Sequence, residues 1–132
     1  MAKEINVMQK LVLLSAAVLG GVSVGIGAFG AHALRVALEA SGRTDTFETA
    51  VKYQFYHTMA LLAIGILMYH IPDRRLGYAA IAMLGGIFTF SGSLYLLCLT
   101  GIRWWGAVTP FGGVLLIVGW ILLLISIYQH YE

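Results

Sequence analysis

Charged side chains are scarce in this 132-residue chain, and their scarcity indicates the solvent for which it is built. Asp, Glu, Lys and Arg together make up 11% of the residues, whereas hydrophobic residues make up 60%. Because about a quarter of the residues of a soluble domain are charged, water is not the main solvent here. The net charge is +2 and the eight basic residues are scattered along the chain. No basic cluster follows a phosphate backbone, so we expect no nucleic-acid partner.

Cysteine and proline are also nearly absent. Cys98 is the single cysteine, so an internal disulfide is excluded, and its apolar neighbours indicate a small packed side chain. The two prolines, Pro72 and Pro110, both fall at expected helix boundaries. Pro72 follows an apolar run that it would end, and Thr109 precedes Pro110 as a capping hydroxyl precedes a proline at the first helical position.

Four stretches contain no charged residue over about the 20 residues that a helix needs to cross the hydrocarbon core. They cover residues 11–31, 55–71, 76–99 and 110–128. A backbone in lipid must satisfy its own hydrogen bonds, and no stretch alternates as the strand of a barrel does. The sequence therefore predicts an all-α fold, in which residues 1–132 form one domain, an integral membrane bundle of four antiparallel transmembrane helices.

The connections between the spans differ in length. Residues 32–54 form the only long connection, and we expect two short amphipathic pieces there, broken near Gly42. Asp45, with Glu48 three residues later, is a capping pair that would begin a helix upstream of Phe55. The connection between the second and third spans is too short for anything but an antiparallel pair.

The basic residues that set orientation are evenly divided. One membrane face would carry Lys3, Lys10, Arg74 and Arg75, and the other would carry Arg35, Arg43, Lys52 and Arg103. Since Arg74 and Arg75 lie tight against the membrane, the positive-inside rule favours a cytoplasmic location for both termini. We expect the protein in the inner or plasma membrane.

Glycine, in contrast, is abundant, with 16 residues. Helices in a bilayer associate through close packing and polar contacts, so small residues mark the faces at which they meet. We expect the following glycines to serve helix packing: Gly27, Gly30, Gly85, Gly86, Gly92, Gly112 and Gly113.

The few polar residues of the spans gather at one side of the predicted membrane. In an up-and-down bundle the first and third spans end where the second and fourth begin, and this half receives the following candidate site residues: His32, Tyr53, Gln54, His57, Ser91, Ser93, Tyr95 and Thr109. Gln54 and His57, three residues apart, share one helix face with Tyr53, whereas Ser91 and Ser93 cannot share one. A buried His57 is costly unless partnered, and an interhelical hydrogen bond is the expected role ahead of ligand or proton chemistry.

The polar segments carry a resemblance to a known family. Residues 27–34, 53–57, 90–95 and 109–113, in this order, match the pattern of the small membrane proteins grouped as domain of unknown function four-two-three, which include bacterial inner-membrane proteins and an animal transmembrane homologue. The resemblance extends from the first span to the fourth. It implies a four-helix membrane protein without an established biochemical activity.

Three kinds of function fit these residues. We expect a non-enzymatic component that supports membrane integrity or another membrane protein, because no span carries the charged groups that mark ion pathways and proton relays. A small transporter or channel, or a protein that binds lipid, quinone or haem in the polar half, is the alternative. We expect no catalytic residue, no metal site and no cofactor. The expected partners are membrane lipids and either a second copy of the chain or another membrane protein.

Overall fold

The computed structural model describes residues 4–132, which form five α-helices and no strand. The helices are α1 (Val7–Ala31), α2 (Arg35–Ser41), α3 (Thr44–His70), α4 (Arg74–Thr100) and α5 (Trp104–His130). The all-α prediction is confirmed. Four of the helices are long, and α2 is a short piece in the long connection between α1 and α3.

Local chemistry explains where several helices begin and end. The side chain of Asn6 accepts a hydrogen bond of 2.7 Å from the Gln9 N–H and caps α1. Gly42 and Gly101 follow α2 and α4 with φ of 67° and 69°, the left-handed conformation that glycine adopts without strain. The predicted break near Gly42 is confirmed.

The second predicted span belongs to a longer helix. Helix α3 begins at Thr44, so the amphipathic piece and the apolar stretch predicted at 55–71 are continuous. Asp45 lies in its first turn, and Arg43 occupies the cap position without a side-chain bond, so the expected capping pair does not form. Three helices, α1, α4 and α5, are long and apolar enough to cross a membrane. The fourth, α3, is not among them because its first half is polar.

The fourth predicted span begins earlier than expected. Pro110 lies inside α5, six residues after its first residue, Trp104. A proline inside a helix lacks an N–H for the carbonyl four residues before it, here that of Gly106. Thr109 is not a cap, since it lies inside α5 with its Oγ1 3.3 Å from the Trp105 carbonyl of the same helix. The prediction that Thr109 and Pro110 begin the helix is wrong.

Neighbouring long helices pack antiparallel. Gln9, early in α1, donates from Nε2 to the carbonyl of Gly65, late in α3, at 2.8 Å. The end of α1 in turn lies against the beginning of α3, where Gly30 faces Phe47. The same reversal relates α3 to α4 and α4 to α5. Each end of the bundle is therefore built from the beginnings of some long helices and the ends of others.

The apolar core lies between the long helices, mostly away from the polar residues. Its largest fully buried apolar side chains include Leu61, Ile64, Leu76 and Met83. Large apolar side chains are also exposed along every long helix. A soluble protein rarely exposes so much apolar surface, so lipid is the solvent that this surface requires.

Candidate functional site

The end of α1, the beginning of α3, the end of α4 and the beginning of α5 lie together at one end of the molecule. The Cys98 thiol donates to the Arg43 carbonyl at 3.8 Å, which fixes the end of α4 beside the beginning of α3. Trp105, in the first turn of α5, packs against a buried cluster that contains Ala50 and Leu94. We call this end, with its buried hydrogen-bonding side chains, the polar end.

Gln54 is the hydrogen-bonding centre of the polar end. Its side chain is buried, and its Oε1 accepts a bond of 2.6 Å from the Tyr95 hydroxyl on α4. Its Nε2 donates to the Leu19 carbonyl on α1 at 3.5 Å. One amide thus connects α3 to both of its neighbours, and the orientation of the amide follows from these two partners, a hydroxyl donor and a carbonyl acceptor.

His57 is buried between aromatic rings. Its Nδ1 lies 2.7 Å from the Tyr53 carbonyl, and because a carbonyl only accepts, this nitrogen carries the proton. The bond stays within α3, in contrast to the interhelical bond expected. The interhelical contact is instead aromatic, with the Trp120 ring of α5 edge-on at 6.0 Å.

Tyr53, Gln54 and His57 do not face a single neighbour. The Tyr53 ring is exposed and stacks on Phe90 of α4 at 4.7 Å, whereas His57 contacts α5 and Gln54 contacts α1 and α4. The polar atoms of the three side chains are therefore used at separate contacts, and they do not converge on one ligand.

The two serines of α4 bind different helices, as their spacing predicts. Ser91 Oγ donates to the Ala50 carbonyl of α3 at 2.7 Å. Ser93 Oγ donates to the Phe90 carbonyl within α4 and accepts a bond of 2.6 Å from Thr109 Oγ1 of α5. Ser91 thus binds α4 to α3, and Ser93 binds α4 to α5.

His32 lies apart from the other candidates. It caps the carboxyl end of α1, its side chain is exposed, and it forms no side-chain hydrogen bond within residues 4–132. Those residues also contain no group of three or more His, Cys, Asp or Glu side chains placed to hold a metal ion.

Three of the predicted packing glycines lie where a larger residue would collide with a neighbouring helix. A Cβ would lie 2.1 Å from the Phe47 ring at Gly30, 2.5 Å from the Leu116 side chain at Gly86, and 2.3 Å from the Phe90 backbone nitrogen at Gly112. Such distances are far inside van der Waals contact.

The other predicted packing glycines are less constrained. Gly27, Gly85 and Gly113 allow a Cβ at ordinary contact distance, and a Cβ at Gly92 would meet no atom within 4 Å. Gly65, which the sequence reasoning did not select, would place a Cβ 2.6 Å from Leu13. The signal was present, since Gly65 is the only glycine in the second predicted span.

Ser126 is the exception to the hydrogen-bonded pattern. Among the described residues its Oγ is the one buried side-chain oxygen or nitrogen without a hydrogen-bond partner. It lies near Asp73, whose pKa is lowered mainly by the bond from the Arg75 N–H and to a smaller extent by Ser126. Because Asp73 precedes α4, Ser126 lies at the end opposite the polar end.

Comparison with known proteins finds relatives that agree with one another. The family model described as "Protein of unknown function (DUF423)" matches residues 26–113. The chain is 43% identical over 121 residues to a UPF0382 membrane protein of Staphylococcus saprophyticus, with 92% of this chain and 99% of the relative covered. It is 36% identical over 118 residues to the UPF0382 inner membrane protein YgdD of Escherichia coli, with 89% of each chain covered. No solved structure matches the chain.

These relatives confirm the resemblance that the four polar segments carry, and they agree with the long apolar helices. The chain is an inner-membrane protein with several membrane-crossing helices. It belongs to the DUF423 family of UPF0382 membrane proteins.

Proposed function

We propose that this chain is a non-enzymatic structural component of the inner membrane that supports the bilayer or another membrane protein. In this proposal α3 crosses the membrane as a fourth helix, antiparallel to α1 and α4. The observation that carries the proposal is that the buried polar side chains of the polar end are used in bonds to neighbouring helices or to helix backbones.

The length and surface of α3 support a fourth crossing. The uncharged stretch from Tyr53 to His70 is about 27 Å long, close to the thickness of the hydrocarbon core. Met59 and Ile66 are exposed on it, as large apolar side chains are on the other long helices. Its polar Gln54 and His57 point into the bundle, where lipid does not meet them.

The proposed orientation places both termini in the cytoplasm. Arg74 and Arg75 lie in the first turn of α4, directly after a connection of three residues, so they stay at the membrane surface. Basic residues close to a span have the largest influence on orientation, which favours the cytoplasm for this end.

The use of the polar atoms favours a structural role. The buried Gln54, Thr58, Ser91 and Ser93 all have hydrogen-bond partners within the chain. A site for substrate or ions needs polar groups directed at an opening, whereas here Gln54, Ser91 and Ser93 bond to neighbouring helices and Thr58 bonds within α3. Each interhelical bond in a membrane contributes about 0.6 kcal/mol, so together they favour one arrangement of the helices.

The outer face of α1 supports contact with a second membrane helix. Gly21 and Gly25 are exposed, and a Cβ at either would meet nothing within 4 Å. Two glycines four residues apart allow the backbone of another helix to approach closely. The partner is either a second copy of the chain or another membrane protein.

The test is a strain that lacks the protein, complemented with the wild type, with Gly25→Leu or with the matched control Gly92→Leu. We expect the deletion to raise dye permeability under membrane stress, and we expect Gly25→Leu to fail to restore it while Gly92→Leu succeeds. Affinity purification in mild detergent should give a partner, or a second copy, that Gly25→Leu loses. Unchanged permeability and stress growth in the deletion strain, without any associated protein, would contradict the proposal.

A further inference from the structure

A cleft of about 380 Å³ lies beside the polar end, between the end of α1, the short helix α2 and the first half of α3. Its floor is apolar or uncharged and includes Gly27, Gly30, Leu38, Phe47 and Val51. We call it the interfacial cleft. Its volume falls within the range of small-molecule sites, and it is separate from the hydrogen bonds around Gln54.

Four charged side chains also line the cleft, and all four are exposed. Arg35 and Glu39 come from α2 and form an exposed salt bridge of 3.0 Å. Glu48 and Lys52 come from α3, four residues apart and therefore on one helix face, and neither forms a salt bridge with any described residue. The cleft thus offers two cations and two anions beside an apolar floor.

The charge balance selects the chemistry of the ligand. A ligand of one charge sign, whether a dianion or a simple cation, would meet two like charges as well as two opposite ones. A zwitterion whose phosphate faces Lys52 and whose ammonium faces Glu48 matches both signs at once. The apolar floor in addition favours a ligand that brings hydrocarbon with it.

We propose that the interfacial cleft binds a phospholipid whose headgroup carries a phosphate and a primary amine, as phosphatidylethanolamine does. Lys52 and Arg35 hold the phosphate, and Glu48 and Glu39 accept hydrogen bonds from the ammonium group. The glycerol and the first part of an acyl chain cover Phe47 and the remaining floor.

The position of the cleft suits such a ligand. It lies where α1, a helix long and apolar enough to cross a membrane, ends and the short α2 begins. We expect the end of such a helix at the depth of the lipid headgroups. Phe29 and Val36, which flank this point in sequence, are exposed. An amphipathic ligand therefore reaches the cleft from the bilayer without crossing water.

A second cleft of similar size differs from the interfacial cleft in its charged residues. It measures about 370 Å³ at the opposite end and includes Asp73 and Arg74 among its lining residues. The Asp73 carboxylate is already engaged, because its Oδ1 accepts a bond from the Arg75 N–H at 2.9 Å. This cleft therefore lacks the free acid that recognises an amine.

The proposal is tested by native mass spectrometry of the full chain purified in detergent, with each lipid added in turn. Phosphatidylethanolamine should bind about two- to fivefold more tightly than phosphatidylcholine, whose headgroup has no N–H to donate, or than phosphatidylglycerol, which has no cation. Soluble glycerophosphoethanolamine should bind more weakly than the lipid, because the apolar floor stays uncovered.

Two exposed substitutions separate the roles of the charges. Glu48→Gln should reduce the preference for phosphatidylethanolamine over phosphatidylcholine, because Glu39 is then the only acidic acceptor, and should leave phosphatidylcholine binding unchanged. Lys52→Gln should weaken both lipids by about two- to fivefold. Asp45→Asn on the same helix and Lys10→Gln on α1 lie outside the cleft and should behave as the wild type, and circular dichroism verifies that each variant is helical.

Three outcomes would overturn the lipid site. They are equal binding of the three lipids by the wild type, a preference for phosphatidylethanolamine that Glu48→Gln leaves unchanged, and soluble headgroup binding as tight as that of the lipid. The site does not depend on the membrane-support role. A chain that binds phosphatidylethanolamine selectively while its deletion leaves permeability unchanged would retain the site and lose that role.

Discussion

Gln54 is the residue through which α3 is hydrogen-bonded to both α1 and α4. Replacing it by leucine, which is similar in size, removes the bond to the Tyr95 hydroxyl and the bond to the Leu19 carbonyl. At about 0.6 kcal/mol for each interhelical bond, Gln54→Leu should destabilise the protein by about 1 kcal/mol. Equilibrium unfolding of the purified protein in mixed detergent measures this change.

A double-mutant cycle provides the control for that prediction. Tyr95→Phe alone removes the same Gln54–Tyr95 bond, so the two substitutions together should cost less than the sum of their separate effects. The expected coupling is about 0.6 kcal/mol. Fully additive effects would mean that the two side chains do not interact in the membrane protein.

At the scale of single residues the sequence predicts which polar side chains lie within the bundle, but it predicts only some of the residues that they contact. The spacing of Ser91 and Ser93 correctly separates their helix faces. It does not tell which neighbour each face meets, because that depends on the rotation of each helix about its axis, which is set by packing. For the same reason the aromatic contact of His57 with Trp120, 63 residues away in sequence, could not be predicted.

At the scale of helices, the closest approach lies between α4 and α5 at Gly112. An alanine there would place its Cβ 2.3 Å from the backbone nitrogen of Phe90, which cannot move as a side chain can. Gly112→Ala should therefore cost about 1 to 3 kcal/mol through overpacking. Thermal unfolding followed by circular dichroism in detergent measures the loss.

Gly92→Ala is the matched control, since the same change on α4 meets open space. It should be neutral or slightly stabilising, because alanine favours helix over glycine by about 1 kcal/mol. Equal destabilisation by Gly112→Ala and Gly92→Ala would contradict the close contact between α4 and α5.

The cap of α4 gives the fold a dependence on pH. The hydrogen bond from the Arg75 N–H is the main cause that lowers the pKa of Asp73 below its ordinary 3.8. A carboxyl with a lowered pKa stabilises the folded state above pH 3.8, and this contribution disappears as pH falls through the pKa in the folded protein. Asp73→Ala should cost about 1 kcal/mol at neutral pH and less in acid.

Asp73→Asn isolates the charge from the cap. Asparagine caps a helix about as well as aspartate and does not titrate, so this variant should retain the cap and lose that part of the acid sensitivity. Unfolding temperatures at neutral pH and below pH 3.8 make the comparison. An identical acid response of the wild type and Asp73→Asn would assign the sensitivity to other carboxyls.

At some helix boundaries the neighbouring residues are enough to predict where the helix begins or ends, and at others they are not. The break near Gly42 was predictable because left-handed backbone favours glycine. The beginning of α5 was not, because Thr109 and Pro110 are a correct start signal locally, and a membrane helix tolerates an internal proline when other groups satisfy the backbone. Likewise, no breaker separates Thr44 from Phe55, so α3 continues through a polar segment that hydropathy alone assigns to a loop.

At the scale of the whole molecule, alternating helix direction was predictable, and the division between lipid and water along α3 was not. Short connections require antiparallel neighbours, and the contacts agree. The buried Gln54 and His57 make α3 less apolar in composition than the other long helices, although its outer face exposes Met59 and Ile66. Composition averages over all faces of a helix, whereas lipid meets only one.

The topology that follows from this architecture can be tested by labelling. In a Cys98→Ala background, single cysteines replace His32, Trp104 or Glu132, all of which are exposed. Because α1 ends and α5 begins at the polar end, His32→Cys and Trp104→Cys should react with a membrane-impermeant maleimide from the same side, and Glu132→Cys from the other. With cytoplasmic termini, the first two react in intact cells and the third only after lysis. Opposite sides for His32→Cys and Trp104→Cys would mean that α3 does not cross the bilayer, because an odd number of crossings would then separate α1 from α5.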